Sequence, residues 1–474
     1  MRRILVALAA AGLVLAPGIA NAAPTAKVDA RSIDALVNRF LDDSGVPGAT
    51  VVVTKADKVI RAHGYGVDSN GDRLSASTGM PIASVSKSFT ATAVSHLVDD
   101  GKVDLDKPVR EYVHEFSMDD PRAKRITVRQ LLNQTSGMAD GGFAEKEEEQ
   151  PSTLHGAVTR LADAGLVAAP GKSWNYHNPN FQVAARLVEE VSGKPFGAYL
   201  RDEIFGPLGM NDTRAVNLTD NAQVPKGFAS AYGYRSIAEP HRFVGGSDGI
   251  VTTASDMGKW LRANATGDTD VLTKTDLTRL HTTSKTNPRY GLGWEVDRDH
   301  GHTVASHSGV WFSYTARQTI DTDTGWGVAV MANAGMSLSF DAPYELSQGL
   351  LALTRGEQPA PNTSAQSTSD LVVGALTILT VAWGVWRLAR VRRWVERRTH
   401  RPLWRNALAL TRSLFPVLIL ALYPEIGKLI AGGRTATWLE YLYTWFSVVG
   451  WLLVAALFGL AITATRAIRL RLSR

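Results

Sequence analysis

Ser84-Val85-Ser86-Lys87 stands at the head of the stretch Phe89-Thr90-Ala91-Thr92-Ala93-Val94-Ser95-His96-Leu97-Val98, and the reading of that segment decides the fold. The spacing of Phe89, Ala93, Val94 and Leu97 predicts a helix over about Ser84–Asp99 whose apolar stripe belongs to a core. A serine and a lysine three residues apart share one helix face, so the amine can hydrogen-bond the hydroxyl and help take its proton. The helix N-terminus stabilises negative charge that develops beside it. Alone, the pair is a weak signal, because about one chance match is expected in a chain this long and a surface cap reads the same way.

Two further motifs follow in order. Tyr176-His177-Asn178 comes after Pro170-Gly171 in a predicted loop, with Asn178-Pro179 as a turn signal. A tyrosine held near a lysine can act as a phenolate-type base, and an asparagine amide can bind a substrate carbonyl. His307-Ser308-Gly309 ends a predicted strand. A strand edge beside a nucleophile can receive substrate by β-augmentation, and a glycine lets its backbone approach closely. The next N–H, that of Val310, can join that of Ser84 as an oxyanion hole. Each motif alone also reads as an ordinary turn or strand end.

Outward from the motifs, the pattern is that of one large domain. Val28, Ile33, Leu36, Val37, Phe40 and Leu41 recur at helical spacing until Gly45–Gly48. Ala49–Thr54 and Val59–Tyr65 predict a hairpin across Lys55-Ala56-Asp57-Lys58. Residues 120–230 are mostly helical in pattern. Strands return at Tyr290–Val296, Val304–Ser308, Tyr314–Asp321 and Gly327–Ala332, and a helix over Ala342–Leu353 closes the domain. Strands at both ends predict one antiparallel sheet made of N- and C-terminal parts, with helices on both faces and a helical insertion: an α/β (α+β) fold.

In this order and setting, the motifs resemble those of the serine β-lactamase / penicillin-binding protein (DD-peptidase) family, in particular its class C-like branch, whose second motif is Tyr-x-Asn. Supporting phrases are Leu131-Leu132-Asn133-Gln134-Thr135-Ser136-Gly137-Met138, Pro207-Leu208-Gly209-Met210, Gly249-Ile250-Val251-Thr252-Thr253-Ala254-Ser255-Asp256-Met257 and Tyr290-Gly291-Leu292-Gly293-Trp294. The resemblance covers about residues 29–355. It implies a β-lactamase/transpeptidase-like fold with Ser84 as nucleophile, Lys87 and Tyr176 sharing the base role, and Asn178, His307, Ser308 and Gly309 binding substrate. The N–H groups of Ser84 and Val310 would form the oxyanion hole. It implies no cofactor and no metal, and the spacing of His300, His302 and His307 does not bring these side chains to one point.

The implied activity is that of a serine hydrolase working through a Ser84 acyl-enzyme. Its substrates would be β-lactams, D-Ala-D-Ala or other peptidoglycan-derived peptides, D-amino-acid amides or small esters. The alternative is a penicillin-binding, cell-wall-sensing protein that turns over slowly and signals through membrane helices. There are departures from the family pattern. His307 stands where many β-lactamases have lysine, Gln134 where many relatives have histidine, and Val310-Trp311-Phe312 where glycines are usual. Arg289 reads as solvated charge, and Glu145 with Glu147–Glu149 as an exposed acidic loop near the site entrance.

The rest of the chain points to a membrane. Of 474 residues none is cysteine, which excludes disulfides, thiolate metal sites and a cysteine nucleophile. Residues 371–474 carry 15 Lys+Arg against 3 Asp+Glu, so +12, and the first 22 carry +2; with +6 overall, residues 23–370 are at −8. Basic ends beside apolar runs argue for a membrane partner and against nucleic acid. Arg2 and Arg3, a short apolar core and Ala20-Asn21-Ala22 predict a signal peptide over 1–22. The hydrolase domain is then 23–355, a Pro/Ser/Thr-rich linker 356–370, and a membrane domain 371–474 with about three transmembrane helices, 371–389, 407–424 and 441–463. Arginine clusters at 387–405 and 466–474 place both cytoplasmic, which requires the middle segment to span despite Arg412 and Pro416 and leaves the catalytic domain extracellular. The linker predicts that the two domains share no core.

Overall fold

The first strand sorts the core into two layers. β1 (Gly48–Lys55) turns directly into β2 (Lys58–Gly66). β3 (Glu295–Asp299), β4 (His302–Val310), β5 (Thr315–Asp321) and β6 (Trp326–Ala332) return from the far end of the domain. Together they form an antiparallel sheet in the order β2-β1-β6-β5-β4-β3. Ala49 lies opposite Ala332, and Thr315 lies opposite both Ala332 and Val310. Successive strand side chains point to opposite faces. Val51, Val53, Val328 and Val330 meet the helices Ala30–Ser44 and Ala342–Thr354, whereas Val52, Ala329 and Met331 meet the larger helical layer. The expected sheet, its composition from both ends of the domain, and the helical insertion are all present.

This computed structural model describes residues 28–337, 340–359, 365–430 and 433–473. The expected signal peptide and residues 360–364 of the expected linker lie outside the described residues.

Two local departures bear on the site. The helix expected from Ser84 starts instead as a 3-10 turn, Ala83–Val85, and becomes α-helical at Ser86–Asp99. Ala83 is held at φ 44, a left-handed conformation unusual for alanine, so the chain bends sharply just before Ser84. The strand expected at Tyr290–Val296 begins only at Glu295. Gly293, at φ 73, turns the chain there and packs where a Cβ would crowd the Lys87 carbonyl.

Phe89, fully buried, stacks on Trp260 with ring centroids 3.8 Å apart and locks the central helix to the helix Ala254–Thr266. Phe89→Ala is expected to cost about 3–5 kcal/mol, because the lost ring leaves a cavity that rigid neighbours cannot fill. Chemical denaturation followed by tryptophan fluorescence checks this; a loss below about 1 kcal/mol would mean the helix is held elsewhere.

In the C-terminal region, residues 368–389 and 446–472 are helices long and apolar enough to cross a membrane. The expected span at 407–424 falls on a broken helix pair. Leu403–Ala421 and Tyr423–Ile430 meet at a 52° bend. Pro424 has no N–H to continue the ladder, which accounts for the break. The expected span at 441–463 falls across a helix break. Trp438–Thr444 is a separate helix with a capping box at Thr437, and the long helix begins at Phe446.

Candidate active site

Ser84 sits at the bend, with its hydroxyl between two charges. Lys87 Nζ donates to Ser84 Oγ at 2.8 Å, and Ser84 Oγ donates to Asp248 Oδ1 at 2.5 Å. One helical turn brings the lysine back to the serine, as the spacing predicts. Lys87 is fully buried, pairs with Asp248 at 3.3 Å and donates to the Ser247 carbonyl at 3.0 Å. Burial alone would raise the Asp248 carboxyl. The Lys87 and Arg242 charges, with hydrogen bonds from Ser84 and Ser247, outweigh it and hold the group down to about 2. Asp248 therefore stays ionised.

Asp248 was not among the expected site residues. The available signal was one acid among small residues, Gly245-Gly246-Ser247-Asp248-Gly249, directly before a recognisable phrase. Only the fold places that bend 164 residues back beside Ser84.

The Tyr176 ring lies with its centroid 5.0 Å from Lys87 Nζ. Burial pushes its phenol up, while the Lys87 charge and hydrogen bonds from Lys87 and Ser84 pull the other way. At neutral pH the phenol is therefore protonated. The other serines nearby hold structure: Ser86 Oγ accepts from Ile250 N at 3.0 Å and Ser136 Oγ from Met138 N at 3.1 Å.

The third motif forms the opposite wall. A Cβ at residue 309 would collide with the Ile82 carbonyl and lie 3.1 Å from Ser84 N, so Gly309 allows β4 to touch the turn that carries Ser84. Ser308 Oγ accepts from Arg317 Nη1 at 2.6 Å, and Val310 ends the strand, 38% exposed at the cleft. His307 lines the cleft with its ring already engaged. Its Nδ1 faces the Ser308 carbonyl at 2.6 Å and must donate, so Nε2 accepts from the Tyr290 hydroxyl at 3.1 Å. Both ring nitrogens already have protein partners.

Asn178 Nδ2 donates to Glu145 Oε1 at 2.8 Å, which leaves the buried amide oxygen without a partner among the described residues. The expectation of an exposed Glu145 is corrected: it is buried beneath the cleft, whereas Glu147–Glu149 are exposed. Folding the loop inward brings Glu145 Oε1 to the Asn178 amide, while His177 Nε2 donates to the Phe143 carbonyl at 3.0 Å. Arg289 is exposed beside Asp297, as a solvated charge should be. His302 gathers with Asp321 and Asp323 rather than with His300 or His307.

Ser84, Tyr176, Asn178, Asp248, His307 and Ser308 line one cleft of about 440 Å³. Its remaining wall comes from the C-terminal region, beyond the expected linker. Arg434, Ala436, Tyr441, Thr444 and Trp445 of the C-terminal region line the same cleft. Asp140 receives Thr435 N at 2.7 Å and Arg434 Nε at 3.4 Å, and Lys146 pairs with Glu440 at 2.5 Å.

A family described as Beta-lactamase matches residues 33–348. The chain belongs to the beta-lactamase family. Among curated relatives, Protein flp of Staphylococcus aureus (strain MW2) is 27% identical over 320 residues, 64% of this chain and 63% of its own length. The D-aminopeptidase of Brucella anthropi is 26% identical over 345 residues, 70% of this chain and 64% of its own. The chain thus spans less than two thirds of the length of these family members. Of solved structures, the octameric penicillin-binding protein homologue from Pyrococcus abyssi superposes with TM-score 0.59 at 24% identity, over 70% of this chain and 78% of that one. A D-stereospecific amidohydrolase from Streptomyces sp. gives TM-score 0.52 at 26% identity, over 67% and 97%.

Burial lowers three histidines of the domain: His177, His281 to about 4, and His307 to about 3. An unfolded histidine titrates near 6.5, so below that pH the unfolded chain binds protons that the folded chain refuses. Their contribution to stability is complete above about pH 6.5 and is lost progressively toward the folded values, by up to about 1.4 kcal/mol per pH unit for each histidine. Urea midpoints at pH 7.5 and 5.5 check the sign. Equal midpoints would mean that these imidazoles protonate freely inside the fold.

Proposed function

We propose that the protein is a membrane-tethered serine hydrolase acting on amide or ester carbonyls through an acyl-enzyme at Ser84. The observation that carries this reading is the Ser84 hydroxyl held between the Lys87 amine and the Asp248 carboxylate in an open cleft. In the first step a bond forms between Ser84 Oγ and the substrate carbonyl carbon. The carbon–nitrogen or carbon–oxygen bond breaks, and the serine proton passes through the Lys87, Tyr176 and Asp248 cluster to the leaving group. In the second step water supplies the nucleophile, and the acid and free Ser84 result. The backbone N–H groups of Ser84 and Val310 are the proposed oxyanion donors, with the Asn178 amide as a substrate-side group.

The named relatives include a D-aminopeptidase and a D-stereospecific amidohydrolase, which supports amides with a D-configured residue as the first substrates to try. β-Lactams, D-Ala-D-Ala peptides and small esters follow from the same chemistry. The proposed organisation is a catalytic domain at 23–355 outside the cell, a linker at 356–370, and three crossings within 371–474, with the second bent. Contact between residues 434–445 and the cleft supports this topology, because the segment between spans two and three then lies on the catalytic domain's side. The same contact favours the slow-turnover sensor as a second reading.

The test is labelling of the full chain in detergent with a fluorophosphonate and with fluorescent penicillin, followed by peptide mass spectrometry. The adduct is expected on Ser84. An adduct on Ser86 or Ser136, or unchanged labelling of Ser84→Ala, would end this assignment. A penicillin label that persists for hours selects the sensor, and rapid release selects the hydrolase.

A further inference from the structure

One wall of the cleft at Ser84 is a segment that leads into a helix long and apolar enough to cross a membrane. Thr437 caps the helix Trp438–Thr444, the chain breaks at Trp445, and Phe446 opens a 27-residue apolar helix. Trp438, Tyr441, Tyr443 and Trp445 cluster at that junction, as aromatic side chains do where a helix enters the headgroup region. The junction is pinned to the catalytic domain at several points. Tyr443 donates to the Ala238 carbonyl at 2.9 Å and meets the Phe312 ring edge-on at 5.0 Å, while Glu440 pairs with Lys146. Behind it, Tyr441 packs over Gly427, whose missing side chain leaves that space. Phe312, Met336, Ala436, Tyr441 and Trp445 therefore give the cleft an apolar stretch that runs to the start of the Phe446 helix, in a lining that also holds Ser84, Asp248 and the charged Lys146, Arg434 and Glu440.

We infer that this apolar side is a subsite for the hydrocarbon part of an amphiphilic amide or ester, which reaches Ser84 from the membrane interface with its tail along Ala436, Tyr441 and Trp445. A purely water-soluble substrate needs no wall built from the segment that leads into a helix long enough to cross a membrane. A substrate anchored in the bilayer does, because its carbonyl must meet Ser84 while its tail stays out of water. The inference rests on the serine-hydrolase reading above and deepens it by naming the substrate class.

The test uses the full chain in phospholipid nanodiscs and a series of p-nitrophenyl esters from acetate to octanoate, corrected with Ser84→Ala. Burial of several methylenes predicts an octanoate-to-acetate ratio in kcat/KM of about tenfold or more. Partitioning into the disc raises this ratio for any protein, so the comparison with variants decides. Trp445→Ser, which removes the wall, and Ala436→Trp, which fills the groove, are each expected to bring the ratio down at least about threefold. Fluorophosphonate labelling of Ser84 identifies correctly folded variants, and if neither folds, photocrosslinking of a diazirine-bearing octanoyl ester to residues 436–445 gives the same information. A ratio unchanged in a folded variant, or crosslinks confined to other residues, overturns the subsite. In that event normal acylation by acetate leaves the hydrolase reading standing, whereas absence of any Ser84 adduct brings down both.

Discussion

Lys87→Ala is expected to slow acylation of Ser84 by roughly 10²–10⁴-fold, the range for losing one positioned proton-transfer group, and Ser84→Ala to abolish it. The two variants should differ in stability. Ser84 is a small hydroxyl at a helix start, and its loss removes one hydrogen bond each to Lys87 and Asp248. Lys87 is fully buried against a buried carboxylate, so its removal leaves an unpaired charge and is expected to cost about 3–5 kcal/mol. Acylation rates come from intact-mass measurements with a fluorophosphonate, and stability from urea unfolding. If Lys87→Ala reacted at the native rate, the amine would be a structural counter-ion and the base would lie elsewhere. Tyr176→Phe separates the remaining roles: it removes a neutral hydroxyl without disturbing the ion pair and should slow acylation without a comparable loss of stability.

What could be read in the sequence is what local periodicity and spacing encode. A three-residue interval fixes Ser84 against Lys87 wherever the helix forms, and alternation in β1 and β6 fixes which valines face which layer. Three things were hidden, each for a different reason. Asp248 reaches Ser84 across 164 residues through a glycine-rich bend, and no local pattern reports such a contact. Glu145 belongs to an acidic run that looks solvated, yet the loop turns it inward to meet Asn178. The C-terminal wall escaped because hydropathy marks which helices can cross a bilayer but says nothing about what the segments between them touch. His307 is intermediate: its strand position was legible, but the hydrogen bonds to Tyr290 and Ser308 that occupy its ring were not.

Asp248→Asn is expected to lower the acylation rate by at least about 10²-fold, although asparagine has nearly the same shape. The carboxylate accepts the Ser84 proton and pairs with Lys87 through the same oxygen, Oδ1, while Oδ2 accepts from Ser247 at 2.7 Å. An amide in this place keeps at most one acceptor and has no charge, so the orientation of the serine hydroxyl and the placement of the lysine are lost together. Lys87 is then buried without its partner, which adds a stability loss of about 3–5 kcal/mol. The double variant Lys87→Met, Asp248→Asn decides whether these effects share a cause. With both charges gone nothing remains unpaired, so it should be more stable than the sum of the two single losses predicts, by at least about 1 kcal/mol. Its acylation rate should be no lower than that of the slower single variant by more than about tenfold, because groups that act as a unit can be lost only once. Strictly additive losses in both stability and rate would show that Asp248 and Lys87 work independently, and the carboxylate would then be a support for the glycine-rich bend with no part in activating Ser84.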